Sequence, residues 1–221
     1  MTDDKPLALV TGASRGIGAA TAKTLAAKGC HVLLTARTEG GLEEVEDAIH
    51  DADGSATLAP FDLMDSEAIN RLAQAVAGRW GRLDVLILNA AMLGDLGPLA
   101  HVDAGDFERV ISLNLNANFH LLRAFDGLLR AAPNAHIVAL TSSVANTPRA
   151  YWGPYAASKA ALQTLVQTYS EEVGRTGGIR THIVNPRGTA TAMRSKAFPG
   201  EDPADLRQPE DVAAEIADLV T

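Results

Sequence analysis

Cysteine is nearly missing from this chain. Of 221 residues only Cys30 is a cysteine, so no intrachain disulfide can form. Cys30 stands in an apolar stretch ahead of a predicted strand and reads as a small buried hydrophobe rather than a reactive thiol. Positive charge is in deficit: 19 Lys and Arg face 27 Asp and Glu, a formal net charge of −8. That balance argues against a general nucleic-acid or anionic-membrane binder. No apolar run approaches the roughly 20 residues that a membrane span needs. The opening Met-Thr-Asp-Asp-Lys-Pro holds two acids and no apolar stretch, so it does not read as a signal peptide. A cytoplasmic protein is expected. The six histidines are scattered, with no paired spacing and no partner cysteines, so no metal site is expected. Repeats, low-complexity segments and Pro/Gly/Ser-rich linkers are lacking as well, and residues 1–221 read as one domain.

What is there has the composition of an ordinary folded chain, 47 % hydrophobic and 21 % charged, which excludes disorder, collagen and coiled coil. Two hydrophobic periods alternate along it. Short apolar runs at 7–10, 31–36, 57–61, 83–88, 137–140 and 179–184 predict strands. Between and after them, helical spacing predicts helices over 17–28, 41–50, 66–80, 107–129, 154–174 and 209–220. Strands that are apolar throughout are covered on both faces. Strand and helix taking turns imply an α/β fold, a doubly wound parallel sheet of Rossmann type with helices on both sides.

The turn after the first strand carries the first chemical signal. It reads Thr11-Gly12-Ala13-Ser14-Arg15-Gly16-Ile17-Gly18 and opens the first helix. Gly12 permits a sharp turn, Gly16 lets a pyrophosphate approach backbone N–H groups, and Gly18 allows close packing of helix on sheet. Amides without partners and the helix dipole attract phosphate at such a turn. The spacing G-x-x-x-G-x-G lacks the Gly-Lys-Ser/Thr of a nucleoside-triphosphate loop. An NAD binder usually ends its second strand in an acid that holds the ribose 2′-hydroxyl. Here that position reads Thr35-Ala36-Arg37. Arg37 and Arg15 can form a guanidinium pair around a 2′-phosphate. The expected cofactor is therefore NADP(H), with NAD(H) the alternative.

A second signal is Tyr155-Ala156-Ala157-Ser158-Lys159, which places Tyr155 and Lys159 on one helix face. A free phenol has a pKa of about 10, too high for acid–base work at neutral pH. A neighbouring ammonium and a positive nicotinamide ring are expected to lower it, so that the phenol can give a proton to a carbonyl oxygen or take one from an alcohol. Thr141-Ser142-Ser143 ends the fifth strand, where parallel α/β sheets bind ligands. Ser142 and Ser143 compete to bond the substrate oxygen, and the other caps the turn.

With the TGASRGIG turn, Asp62 in Phe61-Asp62-Leu63, Asn89-Ala90-Ala91, Asn114 in Leu113-Asn114-Leu115, Ser143, YAASK, and Asn185-Pro186 followed by Thr191, the chain resembles the short-chain dehydrogenase/reductase family over essentially its whole length. The resemblance implies an oxidoreductase that moves a hydride between a nicotinamide and a small carbonyl or alcohol substrate. It implies Tyr155 as the acid–base residue and Lys159 as the residue that holds the nicotinamide ribose and lowers the tyrosine pKa. Ser143 would polarise the substrate oxygen, preferred over Ser142 because Ser-Val-Ala aligns with the family's Ser-x-x-Gly. Asn114 would kink the long helix and hold a water that relays protons through Lys159. Gly12, Ser14, Arg15, Gly16, Ile17 and Gly18 would form the phosphate turn. Arg37 would meet the 2′-phosphate, Asp62 and Leu63 the adenine, and Asn89 and Ala90 the adenosine side. Pro186, Thr189 and Thr191 would close over the nicotinamide.

The chain departs from the family pattern in places. Ala91 and Arg187 stand where glycine is usual, and Arg187 can meet cofactor phosphate, an acidic substrate or solvent. The spacing from Ser143 to Tyr155 is one short of the usual thirteen. The sequence stops after the helix near Val220, ahead of the usual seventh strand and its Gly-rich tail, which helps build a tetramer. A homodimer through helices 107–129 and 154–174 is expected instead. A short lid near 189–208, with Met193 and Phe198, would cover an open site, and Met92, Leu93, Leu96 and Tyr151 can add apolar walls, though core packing is the expectation for Leu96. NADPH-driven reduction of a carbonyl is the expected direction. Two other readings stay open: a cofactor-binding regulator that has lost turnover, and an NAD-dependent alcohol dehydrogenase. A methyltransferase fits less well, because its second strand normally ends in an acid.

Overall fold

The computed structural model describes residues 5–174 and 177–221. Its strands are β1 (Leu7–Thr11), β2 (His31–Thr35), β3 (Ser55–Leu58), β4 (Val85–Leu88), β5 (Ala135–Leu140) and β6 (Ile179–Val184). All pair in parallel in the order β3-β2-β1-β4-β5-β6. The longer helices are α1 (Gly16–Ala27), α2 (Glu39–His50), α3 (Ser66–Arg79), α4 (Ala104–Ile111), α5 (Ala117–Ala131), α6 (Gly153–Gly174), α7 (Ala192–Ala197) and α8 (Pro209–Val220). Among the described residues no helix is long and apolar enough to cross a membrane.

The apolar runs explain the two layers. Successive side chains of a strand point to opposite faces, so a fully apolar strand must be covered twice. Leu9, Leu33 and Leu86 pack with Ile69, Val76, Phe125 and Leu162 under α3, α5 and α6. Ala8, Val10, Val32 and Ile87 pack with Leu25, Val45, Ile49 and Ile216 under α1, α2 and α8. Chain order reverses between β1 and β4, so the connections that follow them leave toward opposite faces. A crevice opens there, at the carboxyl ends of the strands. Thr11 ties its two sides together: its hydroxyl donates to the Ile87 carbonyl at 2.9 Å and accepts from the amides of Asn89 and Ala90 at 2.9 and 3.0 Å.

Several boundaries differ from the sequence reading. β3 lies over Ser55–Leu58 rather than 57–61, because its ladder pairs Ser55 with His31 and Leu58 with Leu34, and Pro60 beyond it has no N–H to extend the ladder. The helix expected over 107–129 starts earlier, at Ala104, where the Asp103 carboxylate accepts the Asp106 amide at 2.9 Å. It is interrupted by a π-helical stretch, Ser112–Asn116, between α4 and α5. The segment expected as a lid holds α7 and a single 3₁₀ turn at Pro203–Asp205. It is pinned where it leaves and rejoins: Ala190 N–H donates to the Arg207 carbonyl at 2.8 Å, and Arg207 N–H to Gly188 at 3.2 Å.

Candidate active site

A cleft of about 920 Å³ occupies the crevice. One end is built by the glycine turn between β1 and α1. Gly12 has φ +66°, open to glycine at no cost, and a Cβ on Gly18 would overlap the Gly12 carbonyl oxygen. Asn89 locks the turn from β4, its side-chain amide donating to the Thr11 and Gly12 carbonyls at 2.7 and 3.3 Å. The N-terminus of α1 has no side-chain cap and no acid in its first turn, whereas α3 and α4 are capped by Asp65 and Asp103. Its first amides therefore face the cleft with no intrahelical acceptor, and Ser14, Arg15, Gly16 and Ile17 line it. Arg15 and Arg37 are exposed beside that end, and among the described residues neither is in an ion pair. An uncapped helix start with two cations fits a phosphorylated dinucleotide. Asp62 and Leu63 line the cleft beyond Arg37, and the Asp62 carboxylate also accepts the Met64 amide at 2.9 Å.

The centre is formed by β5, α6 and the π-helical stretch. Tyr155 is 8 % exposed and Lys159 2 %, and both line the cleft. The Lys159 ammonium donates to the Leu140 carbonyl, at the end of β5, at 2.7 Å, and its Nζ lies 5.8 Å from the centre of the Tyr155 ring. Asn114 is fully buried. Its Oδ1 accepts the Met92 amide at 2.8 Å, and its Nδ2 donates to the Met92 carbonyl at 2.9 Å and to the Ser158 hydroxyl at 3.0 Å. Ser158 in turn donates to the Tyr155 carbonyl at 2.8 Å. Asn114 thus braces α6 through Ser158, and among the described residues its side chain bonds Met92 and Ser158 rather than Lys159.

The structure places the two serines differently. The Ser142 side chain lies near enough to the Tyr155 phenol to lower its pKa, whereas Ser143 is exposed and begins a 3₁₀ turn over Ser143–Ala145. Ser142 is still in extended backbone, φ −155°, so adjacent side chains diverge and only the first is aimed at Tyr155. Counted from Ser142, the spacing to Tyr155 is the usual thirteen.

The lysine alone does not lower the tyrosine pKa. Burial pushes the Tyr155 phenol up to about 12, with the nearby Ser142 side chain pulling it down by less. Burial drives Lys159 down to about 8. Desolvation penalises the charged form of each, so without bound cofactor the pair stands as a neutral phenol over a weakened ammonium rather than an acidified phenol.

Other expected residues divide. Gly12, Asn89, Ala90, Pro186 and Thr191 line the cleft. Gly18 and Thr189 do not: Gly18 serves the packing of α1, and buried Thr189 donates its hydroxyl to the Pro186 carbonyl at 2.8 Å, leaving Ala190 on the wall. Arg187 is exposed and off the cleft, its amide donating to Asn185 Oδ1 at 3.0 Å. Of the expected apolar walls, Met92, Leu93 and Met193 are in place, but Leu96 and Tyr151 point to solvent, 36 % and 61 % exposed. Lys196, Asp95 and Asp106, which the sequence reading had not singled out, complete the far end. Their pattern carries no motif, and only the docking of α7 brings Lys196 within 3.2 Å of the Gly94 carbonyl.

Comparison with known proteins agrees with this geometry. Residues 6–202 match the family model described as short chain dehydrogenase. The oxidoreductase YciK of Escherichia coli is 39 % identical over 207 residues, covering 92 % of this chain and 81 % of that one. A short chain dehydrogenase structure from Pseudomonas syringae superposes with a TM-score of 0.94 at 38 % identity, covering 99 % of this chain and 90 % of the other. One from Shigella flexneri, solved as a complex with NADP, has a TM-score of 0.91 at 36 % identity and covers 100 % and 93 %. The chain belongs to the short-chain dehydrogenase family of NAD(P)-dependent oxidoreductases.

Proposed function

We propose that this chain is an NADP(H)-dependent reductase that interconverts a small carbonyl compound and its alcohol, with Tyr155 as the acid–base residue. The observation that carries the reading is buried Tyr155 beside buried Lys159, set in one cleft with the uncapped start of α1. When bound, the nicotinamide cofactor gives or takes the hydride. Arg15 and Arg37 hold the 2′-phosphate and the amides of the glycine turn hold the pyrophosphate. Asp62, Leu63, Asn89 and Ala90 line the adenosine, and Pro186, Ala190 and Thr191 the nicotinamide end. The NADP complex of the Shigella relative supports the phosphate assignment.

Tyr155 and Ser142 meet the substrate oxygen together. A phenol with a pKa of about 12 holds its proton at neutral pH. Lys159, on most molecules still protonated below pH 8, stabilises the phenolate that donation leaves and holds the ribose hydroxyls. Leu93 and Met193 exclude water beside the reacting atoms. The enzyme acts as a one-domain cytoplasmic homodimer through faces of α5 and α6, where Phe119 is 45 % exposed. Light scattering tests the dimer.

The deciding assay follows NADPH absorbance across a panel of aldehydes and ketones, alongside Tyr155→Phe. Loss of the acid–base group costs at least about 10²-fold in kcat. Undiminished turnover by Tyr155→Phe, or tighter binding of NADH than NADPH, overturns the proposal.

A further inference from the structure

The Tyr155 ring is not held by the core alone. Trp152, three residues earlier, meets it edge to face with centroids 6.0 Å apart at 66°. The Trp152 ring also meets Phe198, which follows α7, at 5.5 Å. Phe198 is covered by the Arg194 guanidinium at 3.8 Å and the Arg149 guanidinium at 4.9 Å. Arg194 is fixed by a two-pronged bond to Glu201, 2.6 Å from Nε and 2.6 Å from Nη2. The chain reaches Trp152 through a strained residue: Tyr151 has φ +74° and is held by the Gly97 amide, which donates to its carbonyl at 3.0 Å. A non-glycine residue in that region costs about 1–2 kcal/mol, and such strain gathers at functional sites.

The geometry points to Trp152 as a positioning residue for Tyr155, with Phe198 transmitting the docked position of α7 through Trp152 to the phenol. The idea rests on Tyr155 as the acid–base residue. Aromatic pairs hold their geometry over a narrow range of approach and contribute about 0.5–1.5 kcal/mol beyond burial. Removing Phe198 therefore frees Trp152, and Tyr155 gains both motion and water. The same stack shields the phenol, so its loss brings the tyrosine back toward the ordinary range near 10.

Two readouts test this. In the cofactor-free protein, tyrosinate absorbance counts the phenols that ionise below about pH 11. Phe198→Ala and Trp152→Ala should each add one phenol to the wild-type count, and the added one should vanish when Tyr155→Phe is introduced as well. Trp152→Phe keeps the ring and should retain the wild-type titration. In the assay with NADPH and an aromatic aldehyde, Trp152→Ala should lower kcat about tenfold with the KM for NADPH unchanged, and Trp152→Phe should restore most of it. Wild-type titration in both alanine variants, or kcat within about twofold of wild type, overturns the inference. If Trp152→Ala does not fold, Phe198→Ala decides alone, since Phe198 lies half-buried outside the sheet core. If the wild type reduces no carbonyl, the functional reading fails while the titration still judges the positioning role.

Discussion

Lys159, in the second turn of α6, donates its ammonium to the carbonyl of Leu140, the last residue of β5, at 2.7 Å. That bond holds α6 against the strand end. It also leaves a cation buried with one neutral partner, and burial lowers its pKa from 10.5 to about 8.

The depressed lysine makes stability depend on pH. Between about pH 8 and 10.5 the unfolded chain holds a proton that the folded chain has released, so stability rises with pH through that window. Below pH 8 both states are protonated and the burial cost is fully expressed. The gap corresponds to about 3 kcal/mol. Lys159→Met removes the charge and leaves the Leu140 carbonyl without its donor, which costs about 1 kcal/mol. The variant should be the more stable at pH 7 and lose that advantage by pH 10.5, while binding NADPH less tightly. Urea unfolding at the two pH values checks this, and a stability difference that does not change with pH would rule it out.

The sheet and its layers were legible because wholly apolar runs such as Val85–Leu88 have no other stable place, and the glycine turn because its residue types admit few backbones. The serine was not. Ser142 and Ser143 are chemically identical neighbours, and their roles part only where extended backbone gives way to a 3₁₀ turn. The elevated pKa of Tyr155 was hidden for a different reason. It is buried in one cluster with Leu93 and Met193, 62 and 38 residues away in sequence. Thr189 and Ala190 show the same limit at one-residue scale: the hydroxyl turns inward to Pro186 and the smaller neighbour takes the wall.

Cofactor choice should rest on Arg37 and Arg15. Both are exposed at the phosphate end of the cleft, and no described carboxylate is bonded to either. Charge-assisted bonds of this kind contribute about 1.5–3 kcal/mol. Arg37→Ala should therefore weaken NADPH binding about tenfold to a hundredfold and leave NADH binding within about twofold. Fluorescence titration with both cofactors measures it. Equal losses for the two would show that Arg37 meets something other than the 2′-phosphate.

Arg187 sits at φ 60°, where the family usually has glycine. Relief of that strain, about 1–2 kcal/mol, exceeds the unfolded-state entropy that glycine adds, about 0.4–1 kcal/mol. Its amide bond to Asn185 does not need the side chain. Arg187→Gly should raise the melting temperature by about 1–3 °C. Because Arg187 does not line the cleft, carbonyl reduction and NADPH affinity should not change. A fall in either would return the arginine to the site.

The remaining prediction concerns the far side of the sheet from α6, where His136 of β5 and His182 of β6 stack with centroids 5.4 Å apart at 5° and ring nitrogens at 3.1 Å. Burial is the main cause that lowers both pKa values below 6.5, with Arg180 adding to each and His182 to His136. The nearby Leu219 backbone opposes this only in part. Below pH 6.5 the unfolded chain takes up protons that the folded pair resists. Stability is thus full above 6.5 and falls as pH drops through the folded values. Protonation of the accepting ring also removes the acceptor of the bond between them. His182→Gln leaves a single histidine and no ring-to-ring repulsion, so its stability should fall less steeply between pH 7 and 5. Urea unfolding across that range compares the slopes, and parallel curves for variant and wild type would place the acid sensitivity elsewhere in the molecule.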